Sequence, residues 1–568
     1  MNEPRKDIIN IFMTEQFDVA ILGAGFEGGM LGTILAYKGA KVVIIDAGTH
    51  PRFALGESTV RHTFRMIKIM AERFGVPEFK TEFNSGEQLH KHVSSGFGVK
   101  KNFGFMLHHE GQHQRPEEAN QLVIPPYREG YEAHLFRQDT DAYLTYTAIH
   151  HGATVKYRTL AKEVETDAQG VTITTDKGDT IRAKFVADAS GGGHVLSRLW
   201  NLRDNPPRTR LQSRCLFTHM IDVKPYDDLN LPNGVPNAPR RWYQGTCHHL
   251  FDGGWLWVIP FDNREGSTNK LVSVGLSFDM RKFPKPMDIT PDQEWRQFLD
   301  KFPSIREQFK DAKLVRDWVS SDRLQTSCKQ TVGDRWAIMA GGAGSGFLDA
   351  LFSRGLASSV EVINALSARL LDALKENDFR MERFEYVSRI HAANLRNNDR
   401  MVFAAYTSFR DFDLWNAWFR VWALGVGLGD LRLASVYRRY KKSHDDSILP
   451  DAEEPMGLFY SQHKGYGELF DAAVAKMDEV EAGTTGTKEA SRYIFSLIQN
   501  AKFNAAANRL GDPNTHFINA GAPMTTLKTL VWLATSAPPD IRNLTLGLLG
   551  DIGSRKAPPA PSTRAAGA

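Results

Sequence analysis

A single segment near the N-terminus, FDVAILGAGFEGGMLGTILAYKGAKVVIID at residues 17–46, constrains the fold more than any other part of the chain. Residues 17–22 form a short apolar run of the kind found in buried parallel strands, and residues 30–37 carry apolar side chains at helical spacing. The run KVVIID has the composition of a second strand. A strand, a glycine-rich turn, a helix and a second strand in this order predict an α/β domain built on a parallel sheet.

The glycines of this segment predict what the domain binds. Gly23, Gly25 and Gly28 form the pattern G-x-G-x-x-G, which lets the backbone approach a pyrophosphate at the positive end of the following helix. Asp46 ends the second strand, about twenty residues further on, where an acidic side chain can hold a ribose hydroxyl. The strand, the helix and the acid together predict a dinucleotide-binding site.

Composition excludes several other classes of function. The 568 residues provide material for two or three domains, and the formal net charge of +4 is nearly neutral. Because there is no long run of Lys or Arg, nothing favours a nucleic-acid partner. Cys215, Cys247 and Cys328 lack metal-ligand spacing, so we expect no metal site and no disulfide framework, and a reducing cytoplasm fits. No apolar run reaches the roughly eighteen residues needed to cross a bilayer.

Further blocks of sequence narrow the class of dinucleotide. PRFALGEST follows the second strand, a helix is predicted from Arg137 to Gly152, an apolar strand precedes Asp188, and residues 334–370 read as a strand, a glycine-rich turn and a long helix. In this order, over residues 17–385, the blocks resemble the FAD-binding fold of the para-hydroxybenzoate hydroxylase-like flavoproteins. The resemblance implies FAD as the cofactor. The contacts to FAD that it implies come from Gly23, Gly25, Gly28, Asp46, Arg52, Ser58, Arg137, Asp188, Gly342 and Asp349.

Three short stretches narrow the resemblance to one family. They are G-E-S-T at residues 56–59, the motif W-x-W-x-I-P that begins at Trp255 and Trp257, and GFLDALFSRG at residues 346–355. The last is similar to a G-F-x-D-P-x-x-S-x-G block, and together the three resemble the flavin-dependent halogenases. On its own, W-x-W-x-I-P is also compatible with an aromatic strand in a hydrophobic core.

The resemblance implies a two-component reaction. Reduced FAD from a separate flavin reductase, O2 and chloride or bromide yield hypohalous acid, which travels along an internal passage to a lysine beside the substrate. The turn of Ser353, Arg354 and Gly355 would bind the halide through its N–H groups. Trp255 and Trp257 would line the chamber and keep water and substrate away from the flavin. We therefore interpret Trp255, Trp257 and Ser353 as residues of the catalytic site.

Two adjacent lysines are candidates for the lysine that receives the oxidant. Both lie in SSGFGVKKNFGFMLHHEG, residues 94–111, and on a single strand they would point to opposite faces. The apolar phase of that strand favours Lys101, which alternates with Val99 and Phe103. The family motif fits Lys100, which we prefer on that ground, and both lysines stay candidates.

Departures from the family pattern bear on the substrate. Phe352 stands where tryptophan halogenases carry a glutamate, which argues against tryptophan and favours phenols, pyrroles or enolisable carbons, either free or tethered to a carrier protein. The aspartate of the family's G-D-A turn falls on Gly342 or Ala343, and Ala350 replaces a proline. These changes leave open an FAD-dependent monooxygenase or dehydrogenase without halide chemistry, and a non-catalytic flavin-binding scaffold.

The predicted fold class is therefore α/β, with a Rossmann-type FAD-binding domain, an inserted antiparallel substrate sheet and a C-terminal helical region. The stripe of Trp415, Trp418 and Trp422 predicts a helix packed on the catalytic unit. The expected divisions are an N-terminal extension at residues 1–16, the catalytic unit at 17–385 with the sheet inserted at about 90–130 and 210–330, helices at 386–555, and a disordered tail at 556–568.

Overall fold

The computed structural model describes residues 15–125, 130–339, 346–452, 454–455 and 463–552. The first strand begins at Glu15, inside the predicted N-terminal extension, and the rest of that extension lies outside the described residues. The predicted tail and the glycine-rich turn that contains Gly342 also lie outside them.

The predicted strand–helix–strand unit lies at the centre of a mixed sheet. Its strands Glu15–Leu22 and Val42–Ile45 are parallel and are joined by the helix Phe26–Tyr37. The parallel strands follow the spatial order Trp336–Ile338, Thr180–Asp188, Glu15–Leu22, Val42–Ile45 and Thr154–Lys156. Antiparallel pairing adds Val332–Gly333, Val171–Thr175 and Ala161–Thr166. The second strand is buried throughout, as expected of a strand covered on both faces.

Two apolar clusters cover the two faces of this sheet. Alternate residues of the first strand point to opposite faces, so Val19 and Ile21 belong to one cluster while Ala20 and Leu22 belong to the other. The helices of the FAD-binding unit are Phe26–Tyr37, Arg61–Phe74, Pro77–Thr81, Gly86–His92, Arg137–His150, Val195–Leu199 and Gly355–Glu376.

The predicted inserted sheet is present and is mostly antiparallel. Its strands follow the order Lys313–Leu314, Ser213–Ile221, Val272–Asp279, Gly254–Pro260, Thr246–Phe251, Asn102–His108, Ala119–Val123 and Phe517–Ile518, with Val319–Ser320 beside Ser213–Ile221. One face packs on the helices Pro291–Lys301 and Pro303–Phe309. The other face carries Trp255 and Trp257 and packs on the C-terminal helices.

Two short ladders lie between the sheets and bring distant segments together. In one, Gly98–Lys100 pairs with Glu132–His134, and in the other Thr326–Ser327 pairs with Gly346–Phe347. The first ladder places the lysine region next to G-E-S-T, because Ser58 forms a further bridge to His134.

The C-terminal region is helical, as predicted. Its helices are Glu385–Ser408, Phe412–Ser443, Lys464–Glu481, Thr487–Gln499, Pro523–Thr535 and Pro539–Ile552. The strand Phe517–Ile518 pairs with Ala119–Val123 and so fastens this region to the inserted sheet. Within the described ranges, no helix is both long and apolar enough to cross a membrane. The boundaries between domains remain predictions.

Candidate active site

The glycine-rich turn has the geometry of a pyrophosphate cradle. Gly23 has a φ of +104°, and a Cβ added there would lie 2.5 Å from the Ala189 carbonyl oxygen. A Cβ on Gly28 would overlap the carbonyl oxygen of Gly23. The first helix begins directly after Gly25, and among the described residues no side chain caps it, so its first N–H groups are available to a phosphate. These residues fit the dinucleotide that the sequence predicts.

Asp46 is held at the end of the second strand by hydrogen bonds and an ion pair. Its carboxylate accepts from the Ala24 N–H at 2.6 Å and the Gly48 N–H at 2.7 Å, and both guanidinium nitrogens of Arg52 contact it. Burial tends to raise the pKa of Asp46, but Arg52 and the two N–H groups outweigh burial and lower it. Asp46 is therefore ionised beside the glycine turn. Contact of Asp46 and Arg52 with FAD remains a prediction.

Two other predicted FAD contacts organise the backbone of the same region. Arg137 pairs with Asp141, with Nε 2.7 Å from Oδ1, and also donates to the Leu55 carbonyl oxygen just before G-E-S-T. Asp188 accepts from the Leu196 N–H at 2.7 Å and so shapes the turn that follows its strand. Both side chains are engaged within the protein, and their contact with FAD remains a prediction.

Lys100 is completely buried and points towards residues of two predicted motifs. Its ammonium Nζ lies 2.7 Å from Ser58 Oγ, 2.8 Å from the Thr59 carbonyl oxygen and 3.4 Å from Ser353 Oγ. It also lies 3.5 Å from the centre of the Phe103 ring, which is a cation–π contact. Burial lowers the pKa of Lys100 to about 7. The lysine therefore connects G-E-S-T to the predicted halide turn and is close to half-protonated at neutral pH.

Lys101 points elsewhere because the strand is interrupted at this residue. One strand ends at Lys100 and a new one begins at Asn102. The Lys101 side chain is partly exposed, and its Nζ lies 5.2 Å from the centre of the Tyr131 ring. The expectation that an unbroken strand would set Lys101 in phase with Phe103 and turn it inward is wrong. The interruption reverses the phase and turns Lys100 inward instead.

A chain of hydrogen bonds fixes Ser58 beside Lys100. Nδ1 of His134 lies 2.9 Å from the Pro260 carbonyl oxygen, which can only accept, so Nδ1 carries the proton. Burial lowers the pKa of His134 to about 3, so the ring is neutral and its Nε2 accepts from the Thr246 hydroxyl at 3.0 Å. Thr246 in turn accepts from Ser58 at 2.9 Å. The Ser58 oxygen is therefore left to accept from Lys100.

The predicted halide turn lies at the start of a helix of 22 residues. Ser353 has a φ of +54°, and its hydroxyl donates to Ser58 Oγ at 3.1 Å. Gly355 is the first helical residue, and a Cβ added there would have no described atom within 4 Å. A helix N-terminus with the Lys100 ammonium nearby is electropositive and suits a small anion. Halide binding by Ser353, Arg354 and Gly355 remains a prediction that this geometry supports.

The buried Arg354 contributes less to that positive potential than its sequence position suggests. Its Nη2 lies 3.5 Å from Glu361 Oε1, and His62 Nε2 lies 2.5 Å from the same carboxylate oxygen. Burial lowers the pKa of Arg354, while Glu361 acts to raise it. Because Glu361 offsets the charge of Arg354, the helix N-terminus and Lys100 are the main sources of positive potential at the turn.

Trp255 and Trp257 stand side by side on one face of the strand Gly254–Pro260, as alternation predicts. Both are buried, and their ring centres are 5.4 Å apart. Trp257 Nε1 donates to Ser273 Oγ at 3.2 Å. On the neighbouring strand Gly275 makes room for the indole, since a Cβ there would overlap the Trp257 ring. The two indoles thus form a rigid wall, as a chamber lining requires.

Asp349 anchors this wall. Its Oδ1 accepts from Trp255 Nε1 at 3.2 Å, and burial raises its pKa. Its Oδ2 accepts from the hydroxyls of Ser213, Ser277 and Tyr406 at 3.0, 3.2 and 2.9 Å. Both oxygens are engaged within the protein, so the geometry gives Asp349 a structural role, and its contact with FAD remains a prediction.

Comparison with known proteins decides the family. The chain is 41% identical over 552 residues to the monodechloroaminopyrrolnitrin halogenase PrnC of Pseudomonas fluorescens, an alignment that covers 95% of each chain. The chain belongs to the flavin-dependent halogenases. The halogenase is also 39% identical over 529 residues to the tetracycline 7-halogenase of Kitasatospora aureofaciens, covering 93% of this chain and 94% of the relative. No protein-family model matches the chain.

A solved structure agrees with this assignment. The halogenase shares 32% identity and a TM-score of 0.83 with halogenase PltM in complex with phloroglucinol and FAD, covering 88% of this chain and 99% of PltM. The predicted family, outside its tryptophan-specific branch, and the predicted fold class are confirmed. The predicted cofactors are confirmed as well, so the halogenase is an FAD-dependent enzyme that uses O2 and a halide.

Aromatic rings pack together beside Lys100 in the halogenase. Phe352 stacks on Trp422 with ring centres 5.1 Å apart. Phe103, whose ring Lys100 contacts, meets the edge of Trp422 at 5.0 Å. Five buried side chains, Phe103, Phe105, Phe352, Trp415 and Trp422, belong to one packed aromatic cluster, the aromatic chamber.

The predicted tryptophan stripe packs its helix on the catalytic unit and also contributes to this chamber. Trp415 and Trp422 belong to the aromatic chamber. Trp418 instead donates from Nε1 to the Met401 carbonyl oxygen at 3.0 Å and packs against Phe470. Two of the three tryptophans therefore pack in the aromatic cluster beside Lys100, which the helical spacing alone does not indicate.

Sequence reasoning missed several polar residues of the site. They belong to no motif, and each reaches its partner across a long stretch of chain. Thr246 bonds to Ser58 across 188 positions, and Tyr406 bonds to Trp255 across 151. Only the fold brings such residues together, so no local signal marks His134, Thr246 or Tyr406.

Proposed function

We propose that the halogenase halogenates a free, electron-rich aromatic molecule, a phenol or a pyrrole, that lies against Lys100 in the aromatic chamber. The position of Lys100 carries this proposal. Its Nζ is 3.4 Å from Ser353 in the halide turn and 3.5 Å from the ring centre of Phe103 in the aromatic chamber. One buried amine thus adjoins both the source of the oxidant and the place for the substrate.

The halide turn and the two tryptophans separate the flavin side of the proposed site from the substrate side. Bound reduced FAD, with O2 and a halide, supplies hypohalous acid. Ser353 and Gly355 offer the halide a helix N-terminus. Trp255 and Trp257 keep substrate and water away from the flavin side, so that oxygen transfer to the substrate does not compete.

Lys100 then makes the halogen more electrophilic. Two of its N–H groups are held by Ser58 Oγ and the Thr59 carbonyl oxygen, at 2.7 and 2.8 Å. The third has only the longer contact to Ser353, at 3.4 Å, and is available to the oxygen of hypohalous acid. An ammonium in a buried site stabilises the charge that develops on this oxygen as the halogen moves to the ring carbon.

The substrate class follows from the chamber and from the relatives. Phe352 is stacked on Trp422 and offers no charge to hold an amino acid. The two relatives at 41% and 39% identity are named for monodechloroaminopyrrolnitrin and tetracycline, without a carrier protein. The relatives named for a pyrrole on a peptidyl-carrier protein are only 22% and 23% identical. These observations favour a free small molecule over a carrier-bound one.

Reconstitution tests the proposal. The halogenase is mixed with FAD, NADH, a separate flavin reductase and bromide or chloride, and products from phloroglucinol, a pyrrole and tryptophan are analysed by mass spectrometry. We expect halogenated phenol or pyrrole and no halogenated tryptophan. Lys100→Met should lower product formation at least about 100-fold, because it removes the ammonium, while flavin reoxidation continues. The neighbouring Lys101→Met is the matched control and should change the rate less than about twofold, since its side chain is partly exposed.

Two results would contradict the proposal. Halogenation that survives in Lys100→Met, or that falls equally in Lys101→Met, removes Lys100 from the mechanism. An oxygenated or dehydrogenated product without halogen supports the alternative of a monooxygenase or dehydrogenase on the same fold.

The reducing cytoplasm is the proposed place of action, because Cys215, Cys247 and Cys328 are buried free thiols. Immunoblotting of cell fractions tests this. Detection of the intact protein only outside the cytoplasm would contradict it.

A further inference from the structure

Glu132 is a buried acidic residue beside Lys100 that has no role in the proposed halogenation. Its side chain is 1% exposed, and neither carboxylate oxygen has a hydrogen-bond partner among the described residues. The strands Gly98–Lys100 and Glu132–His134 are antiparallel, and Lys100 is directly opposite Glu132. Cross-strand partners project to the same side of a ladder, so the two side chains share one buried space.

A carboxylate without hydrogen bonds is costly to bury unless an opposite charge lies near it. The charged groups that act on Glu132 come from three elements. They are Lys100 on the paired strand, Arg61 and Arg65 on the helix Arg61–Phe74, and Asp430 on the helix Phe412–Ser443.

The two arginines already have a counter-charge. Arg61 and Arg65 both bind Asp430, at 2.9 and 3.2 Å, whereas Arg61 Nε is 3.8 Å from the nearer oxygen of Glu132. Asp430 thus serves two arginines, and the five groups sum to three cations and two carboxylates. Glu132 therefore faces two cations, Arg61 and the Lys100 ammonium on the paired strand, and of these Lys100 has the larger effect on the pKa of Glu132.

Within the described ranges, Glu132 is the charged group that acts on Lys100. Ser58, Thr59 and Ser353 contact it through neutral oxygens. Burial keeps the pKa values of the nearby His134 and His248 at about 3, so both rings are neutral. Burial raises the pKa of Glu132 to about 7, and Lys100 and Arg61 act to lower it. The Glu132 carboxylate in turn acts to raise the pKa of Lys100 against the effect of burial.

We infer that Glu132 is a positioning residue that keeps Lys100 protonated, and hence able to activate the oxidant, inside a sealed apolar site. This inference rests on the proposed role of Lys100. The alkaline limb of the pH profile is then set by Lys100, since activity is lost as pH rises through the pKa of an acid that must hold its proton. A carboxylate opposite Lys100 moves that limb to higher pH, and its removal moves the limb to lower pH.

Glu132→Gln tests this, because the amide keeps the shape and removes the charge. We expect the midpoint of the alkaline limb of kcat for bromination of phloroglucinol to fall by about one pH unit. The rate should fall about tenfold at pH 8 and return towards the wild-type rate at pH 6, while flavin reoxidation is unchanged. Glu132→Asp, which keeps the charge, should hold the midpoint within about 0.3 unit of the wild type. A purely structural defect would lower the rate equally at both pH values.

Controls separate the failure of this inference from the failure of the proposed function. The exposed Glu163→Gln should leave the profile unchanged. If Glu132→Gln does not fold, Glu132→Met replaces it, because an apolar side chain of similar volume carries no buried charge. An unchanged midpoint in the neutral variant overturns the inference about Glu132, provided that Lys100→Met is inactive. Full halogenation in Lys100→Met overturns the proposed function itself.

Discussion

At the scale of single residues, Ser58 holds Lys100, and Thr246 and His134 hold Ser58. The donors and acceptors of these hydrogen bonds are fixed because the Pro260 carbonyl oxygen can only accept a hydrogen bond from His134. Thr246→Val removes the hydroxyl and keeps the shape, so His134 Nε2 loses its donor and Ser58 is free to rotate. Because Ser58 then orients Lys100 less well, we expect kcat to fall about tenfold, which corresponds to about 1.4 kcal/mol of activation free energy, the order of one hydrogen bond.

Thr246→Ser is the matched variant for this prediction, since it retains the hydroxyl and should keep kcat within about threefold of wild type. Steady-state bromination kinetics distinguish the two variants. KM should stay nearly constant in both, because Thr246 does not belong to the aromatic chamber. Equal activity of the Val and Ser variants would show that the chain does not orient Lys100.

The choice between the two lysines shows why sequence alone resolves single residues poorly. Alternation on one strand favours Lys101, yet its N–H donates to the Gln244 carbonyl oxygen and its own carbonyl accepts from Ile124. Both partners are distant in sequence, and these bonds interrupt the strand where the lysines lie. The family motif favours Lys100 because a motif reflects the folded structure, including contacts that alternation along one strand does not reveal. Glu132 has no motif and could not be found in this way.

At the scale of elements, the glycine turn gives different tasks to Gly25 and Gly28. A Cβ on Gly28 would overlap the carbonyl oxygen of Gly23, so Gly28→Ala should destabilise the fold by about 1–3 kcal/mol or prevent folding. A Cβ on Gly25 meets only the Asp141 carboxylate, at 3.6 Å. Gly25→Ala should therefore fold normally but bind FAD at least about tenfold more weakly, because the methyl group stands where a pyrophosphate approaches the helix.

Thermal melting of the apoprotein and fluorescence titration with FAD measure the two effects separately. If Gly25→Ala binds FAD as tightly as wild type, the pyrophosphate does not lie on this turn. This strand–turn–helix–strand unit is the part of the fold most predictable from sequence, since its glycines and its apolar spacing are local, although its strands also pair with distant strands. The same holds for the two tryptophans on one strand face. The motif around Asp349 predicts a contact with the flavin, whereas the sequence does not show that Ser213, Ser277 and Tyr406 converge on its carboxylate.

At the scale of the whole molecule, the active site is closed by parts of the chain that are far apart in sequence. The FAD-binding unit provides the glycine turn and the halide turn, the inserted sheet provides Phe103 and the tryptophan wall, and the C-terminal helix Phe412–Ser443 provides Trp415 and Trp422. Sequence predicts these three parts and their order, because each has its own periodicity. It does not predict that the helix Phe412–Ser443 contributes to the proposed surroundings of the substrate, since a packing stripe and a chamber lining have the same 3.6-residue spacing.

Substitutions of Trp418 and Trp422 distinguish the role of the helix Phe412–Ser443 in the fold from its proposed role in the site. Trp422→Phe trims a ring that stacks on Phe352 and meets Phe103, and aromatic contacts of this kind are worth about 0.5–1.5 kcal/mol. We therefore expect the melting temperature to fall and, because the ring lies in the proposed substrate site, KM for phloroglucinol to rise about three- to tenfold. Trp418→Phe removes the hydrogen bond to the Met401 carbonyl oxygen instead, so it should lower the melting temperature and leave KM unchanged. A rise in KM in both variants, or in neither, would mean that the helix serves only to pack the fold and that the substrate lies elsewhere.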